Sequence, residues 1–178
     1  ESLTETFGWE ITKTADPDSH SLFVGQHDSS TWTVSVTKTG PTQSDFAVEG
    51  QITIVNPAPM PAPIANVTDS LSIDGAVSVD CGNATEVPAN GQLVCTYSTT
   101  VASGAAQTNT ATVTFQDSIT GVQAQAPVNF SEADVTTVLD EVNVTDTNGM
   151  SWVTNHSETW NYNENFNCDE VQLSGGSG

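Results

Sequence analysis

The sequence has no arginine and only two lysines, Lys13 and Lys38, against 22 acids, a net charge of −20 over 178 residues. Without a basic patch it has nothing to neutralise phosphates, which excludes nucleic acid and anionic membrane surfaces as partners. No apolar run approaches the ~18 residues of a membrane-spanning helix, so direct membrane insertion is not expected. Helical periodicity is almost absent. Catalytic signatures are missing too: there is no G-x-S-x-G, no glycine-rich phosphate loop and no Cys-x-x-Cys pair. The histidines His20, His27 and His156 stand far apart, without ligand spacing. These absences lead us to expect no enzyme activity, no cofactor and no metal site.

What the chain does have is threonine, at 26 positions, many of them alternating with valine or isoleucine. β-Branched residues favour pleated strands, and hydroxyls keep a solvent face wet without charge. Solubility then rests on acids and hydroxyls, as in a protein of the cell surface or a secreted one. The chain opens at Glu1 without a methionine or signal peptide, so it reads as a processed or excerpted extracellular segment.

Period-2 runs separated by Gly, Pro, Asn and Asp predict about eight short strands. Trp9–Lys13 is the first, followed by a turn at Asp16-Pro17-Asp18. Thr31–Thr37 is half-buried, with Trp32, Val34 and Val36 on one face, and Gly40-Pro41 is expected to end it. Ala47–Val55 precedes the proline-rich run 56–63, which cannot lie inside a sheet because proline donates no ladder hydrogen bond. Strands resume at Ile64–Leu71, Ala76–Cys81, Gln92–Thr99, Asn109–Phe115 and Ala124–Phe130. Such spacing marks an all-β fold, an antiparallel β-sandwich. It predicts an N-terminal strand or arm over residues 1–7, a sandwich over 8–132, a smaller partial β unit over 133–172, and a Gly/Ser linker or tail over 173–178.

The partial unit echoes the sandwich. Asn66-Val67-Thr68-Asp69 recurs as Asn143-Val144-Thr145-Asp146, and an aromatic strand follows each copy, Cys95-Thr96-Tyr97 and Trp160-Asn161-Tyr162. The second copy is too short to close a sandwich of its own. In its last strand Trp160, Tyr162, Glu164, Phe166 and Cys168 alternate with the amides Asn161, Asn163, Asn165 and Asn167, so one face is mostly aromatic. That pattern suits an amphipathic strand over a small core, or an edge that meets another subunit or a glycan.

Cys81 and Cys95 flank a segment suited to two strands and a turn; a disulfide there would stabilise by about 3 kcal/mol, and two buried thiols are the alternative. Cys168 is left over, free or paired outside this chain. Five sequons, at Asn66, Asn83, Asn129, Asn143 and Asn155, are candidates for glycosylation. Acids at Asp16 and Asp18, Asp140 and Glu141, and Asp169 and Glu170 lack the converging oxygens that calcium requires, and read as solvated surface groups. Trp152, Trp160 and Tyr162 are the candidates for a contact with a ligand or another subunit.

The ordered set Ile11-Thr12-Lys13-Thr14-Ala15-Asp16-Pro17, Val24-Gly25, Thr33–Gly40, Asn66–Leu71 and Thr108–Val113 resembles the tandem immunoglobulin-like repeat of bacterial and archaeal surface proteins. That domain family of unknown function is related to the isopeptide-forming domains of fimbrial adhesins. The resemblance covers residues 9 to about 115, with a partial echo after 134. It implies an immunoglobulin-like sandwich and a crosslink between Lys13 and Asn109, with Asp69 as the catalysing acid. Lys38 departs from the pattern, which more often has asparagine there. The expectation is therefore a non-enzymatic extracellular module of a stalk, adhesin or filament, with copies of itself or neighbouring repeats as partners. The alternative is an adhesion module that binds carbohydrate or another surface ligand.

Overall fold

The computed structural model describes residues 1–116 and 120–169, and among them it contains strands, turns and one short 3-10 segment, Phe130–Glu132, but no α-helix. The strands are β1 (Ser2–Asp16), β2 (His27–Asn56), β3 (Ala62–Leu71), β4 (Gly75–Val77), β5 (Val79–Asp80), β6 (Glu86–Val87) and β7 (Gly91–Thr100). They continue with β8 (Gln107–Phe115), β9 (Val122–Val128), β10 (Asp134–Val138), β11 (Val142–Thr145), β12 (Ser151–Thr154) and β13 (Glu158–Asn167). The fold is all-β, with antiparallel, sandwich-like sheets, as the alternation of valine and threonine predicts.

The chain divides into two compact units that are not consecutive stretches. Unit one is Glu1–Glu5 with Thr42–Val138; unit two is Thr6–Pro41 with the described residues from Leu139 onward. This differs from the expected division at 132/133. The physical reason lies in β1 and β2, which are 15 and 30 residues long and feed both units. Gly40-Pro41 does not end a strand either. Gly40 has φ 93°, a conformation open to glycine at little cost, and β2 continues through it where the units divide. The expected tail at 173–178 lies outside the described residues.

In unit one, residues Ala47–Asn56 of β2 pair with β7, which also carries β5. A second sheet runs β4-β3-β8-β9, with β6 on β3. Residues from both sheets form the core: Val48, Leu71 and Val128 in one cluster, Ile54, Val87, Cys95 and Val113 in another. The proline run leaves the sheet after Asn56. Against expectation, its last residues, Ala62 and Pro63, open β3 and pair with Val87 and Glu86 of β6, at the start of a strand where a missing donor is tolerated. The buried Asn56 amide holds that loop by donating to the carbonyls of Met60, Val87 and Pro88.

In unit two, β13 pairs with residues His27–Val36 of β2, and β11 and β12 form a two-stranded sheet. Its core is Val34, Val36, Val144 and Tyr162, with Trp9, Trp32, Trp152 and Trp160 packed against it. Part of the amide row of β13 is bonded within the chain. Asn161 and Asn163 accept from the hydroxyls of Thr33 and Thr31 at 2.7 and 2.9 Å, cross-strand pairs that fix the register of β13 on β2.

Candidate functional site

Both lysines are held by acids within unit two. Lys13, from β1, places its ammonium 2.8 Å from each carboxylate oxygen of Asp146, just beyond β11. The Tyr162 hydroxyl of β13 donates to the same carboxylate at 2.9 Å. The ammonium also lies 4.4 Å from the centre of the Trp32 ring, a cation–π contact. Asp146 is 6% exposed at its side chain. Its pKa is held down to about 2, first by the hydrogen bond from Lys13 and then by that from Tyr162, against the opposing effect of burial. Asp146 first, and then Tyr162, push Lys13 above its ordinary value, so it is an ammonium with no lone pair to offer.

Lys38, from β2, is coordinated in the same manner. It donates to the Asp140 carboxylate at 2.6 Å and to the backbone carbonyls of Asp140 and Asn155 at 3.0 and 2.9 Å, and stands 3.8 Å from the centre of the Phe7 ring. All three protons are thereby used. Each lysine ties one of the long strands to the segment 139–155.

The implied crosslink is not assembled. Asp69 and Asn109 do meet, the Asn109 amide donating to Asp69 at 2.8 Å in a buried pair. They lie in unit one, however, whereas Lys13 lies in unit two on Asp146. Condensation needs a neutral lysine, and the ion pair with Asp146 stabilises the charged form instead. The second oxygen of Asp69 is buried without a hydrogen-bond partner among the described residues. Near it, Tyr97 has its phenol pushed up by burial, then by the charges of Asp69 and Glu1. The two copies of the Asn-Val-Thr-Asp motif thus each set an acid near a tyrosine of a strand paired with β2. Only the second copy has a lysine. The 77-residue repeat was the signal that could have set Asp146 beside Asp69 as a second candidate acid for Lys13.

One constellation escapes the sequence altogether. His20 lies 2.9 Å from Asp28 through Nδ1 and 2.7 Å from the Ser30 hydroxyl through Nε2, the outline of an acid–histidine–serine triad. Proton accounting argues against a nucleophile here. The Ser30 hydroxyl has one proton and gives it to the Pro17 carbonyl at 2.6 Å, so Nε2 must donate to Ser30 and cannot act as its base. Ser30 is also buried. The cluster ties the loop after β1 to β2, and the contact with His20 lowers the pKa of Asp28.

The remaining expectations resolve individually. Cys81 and Cys95 form a disulfide, and Cys168 is a free thiol. All five sequon asparagines are exposed; Asn129 also accepts from the Ser131 amide and caps the 3-10 turn. Trp152 and Trp160 stack face to face with ring centres 5.0 Å apart, while Tyr162 is buried beside them. They form a packed cluster rather than a coplanar exposed row. His27 is exposed, and His156 lies 3.8 Å from Glu158. Among the described residues no group of His, Cys, Asp or Glu has the arrangement to hold a metal ion. Asp140 is engaged by Lys38, and Glu170 falls outside the described residues.

Among the openings of the described residues, two are walled mainly by apolar side chains. In unit one, a cavity of about 370 Å³ is lined by Ile52, Ile54, Val113 and Val122, with no titratable group on its wall among the described residues. In unit two, a groove of about 220 Å³ lies beside β11, between Ile11, Val34, Val144 and Trp152, with Lys13 and Asp146 on its wall. Comparison of the chain with protein-family models, curated proteins and solved structures finds no match.

Proposed function

We propose that the chain is a non-enzymatic structural module of an extracellular stalk, adhesin or filament, joined to its neighbours by strand complementation. One contrast carries this reading. In unit one, β3 has β4 along one edge and β8 along the other. In unit two, β11 repeats the motif of β3 but pairs only with β12 among the described residues. An edge of this kind accepts a strand from outside.

The chemistry of the polar groups supports the same reading. Both lysines and the Asp69–Asn109 pair make contacts internal to their units, and Ser30 has no base. The stacking of Trp152 on Trp160 turns these faces toward each other, which favours scaffolding over a sugar platform. The disulfide suits an oxidising, extracellular compartment.

Single-molecule stretching between the chain ends tests the proposal. A load-bearing module should unfold in discrete events. Reduction of Cys81–Cys95, 14 residues apart, should lengthen the released contour by about 50 Å, at ~3.3–3.6 Å per residue. Smooth extension at negligible force would overturn the structural reading. So would saturable binding of an oligosaccharide that quenches the emission of Trp152 and Trp160.

A further inference from the structure

The two Asn-Val-Thr-Asp strands provide an internal comparison. In unit one, β3 pairs with β8 as Asn66↔Thr114, Val67↔Val113, Thr68↔Thr112 and Asp69↔Ala111. Ala111 and Val113 are buried, whereas the alternating threonines Thr110, Thr112 and Thr114 are less so. Moving 77 residues along the sequence places Asn143, Val144, Thr145 and Asp146 in the positions of the β3 residues. The β11–β12 ladder continues past β11 through the Asp146 amide, which donates to the Met150 carbonyl at 2.8 Å. Beside this copy lies the 220 Å³ groove, walled by Val144 and Asp146 of the copy itself, Trp152 of β12, and Ile11, Lys13 and Val34 of β1 and β2.

We infer that β11 is the acceptor edge for a strand of the β8 kind: an uncharged, extended segment, supplied by a neighbouring module, that alternates threonine with small apolar residues. The inference rests on the structural reading above. In the register of unit one, a valine-sized side chain would sit opposite Val144 and an alanine-sized one opposite Asp146, both facing the groove.

Physical chemistry restricts the occupant in three ways. The groove is bounded by Ile11, Val34, Val144 and Trp152, so it favours apolar side chains. Lys13 and Asp146 already neutralise each other, so a charged residue pushed between them would be buried without a partner. A slip of one residue would turn threonines inward and the apolar row outward, so the alternation specifies register as well as affinity.

The test is a synthetic peptide with the sequence of residues Gln107–Phe115, titrated into the full chain. Tryptophan emission gives the binding curve, because Trp152 lines the groove, and amide hydrogen exchange locates the site. The expected result is saturable one-to-one binding, with exchange slowed at Asn143–Thr147. A peptide carrying Ala111→Lys and Val113→Lys should bind more weakly by about ten-fold or more, because its charges enter an apolar groove. Equal binding of both peptides would overturn the inference, as would unchanged exchange at saturating peptide. Protection of the same amides that grows with chain concentration alone would also overturn it, by assigning the edge to a second copy. The stretching experiment does not depend on the peptide, so failure of the acceptor edge and failure of the structural reading are told apart.

Discussion

Replacing Asn109 by leucine removes the one hydrogen bond that Asp69 receives while keeping a side chain of similar shape. Asp69 is 3% exposed, and its other oxygen already lacks a partner among the described residues, so the variant leaves a buried carboxyl with no donor at all. An unsatisfied buried polar group costs about 1–3 kcal/mol. Asp69→Leu incurs a similar cost by stranding the Asn109 amide. The double variant Asp69→Leu/Asn109→Leu removes both polar groups, and exchange of both partners for apolar groups of like shape is nearly neutral. The two single changes should therefore sum to about 2–6 kcal/mol of destabilisation, with the double variant within about 1 kcal/mol of the parent. At about 2–4 °C per kcal/mol for a chain of this size, each single variant should melt roughly 2–12 °C lower. All four tryptophans belong to unit two, so unit one is followed through the near-ultraviolet signal of Tyr97, with urea titrations for the free energies. A double variant as unstable as the sum of the singles would refute the account of the pair as a closed, mutually satisfying contact.

Two further outcomes follow from the geometry. Cys81→Ala/Cys95→Ala opens a loop of 14 residues and should cost about 3 kcal/mol, or roughly 6–12 °C in calorimetric Tm; a change below about 1 kcal/mol would show that the bridge does not constrain the unfolded chain. The Lys13–Asp146 pair sets a pH window. Asp146 is depressed to about 2 from an ordinary 3.8, so its contribution is complete above 3.8 and is lost as pH falls through about 2. Lys13 is raised, so its contribution is complete below 10.5 and is lost as pH climbs through its folded value. In Lys13→Met the Asp146 carboxyl, followed by NMR titration, should move up toward or beyond 3.8, and the acid-side slope in tryptophan-monitored stability should shrink. A carboxyl still near 2 would mean that Lys13 is not what holds it down.

Much of the site was legible one residue at a time and failed at the level of pairing. Lys13 stood out because cations are so few, Asp69 and Asn109 are indeed in contact, and Tyr162 lies beside the lysine. What went astray was which acid meets the lysine. Asp69 and Asp146 occupy identical four-residue motifs, and no local feature says which copy shares a unit with Lys13. Gly40-Pro41 misled for a related reason. A proline after a glycine signals a break, yet a strand of 30 residues continues through it with Gly40 at positive φ. His20, Asp28 and Ser30 were invisible as a group because a histidine in a loop has no periodicity to betray its partners.

The amino-acid order alone determined that this chain is built of strands, because the two-residue period is a property of neighbouring side chains and needs no distant partner. It also made the Cys81–Cys95 bridge a natural expectation, since 14 residues accommodate two short strands and a turn. Only the tertiary structure decided how β1 and β2 are shared between two units, which carboxylate each lysine meets, and that β11 pairs with β12 alone among the described residues. Those outcomes depend on contacts between residues as many as 133 positions apart. Contacts at such separations follow from how whole sheets bury their apolar faces, and local alternation carries no record of that.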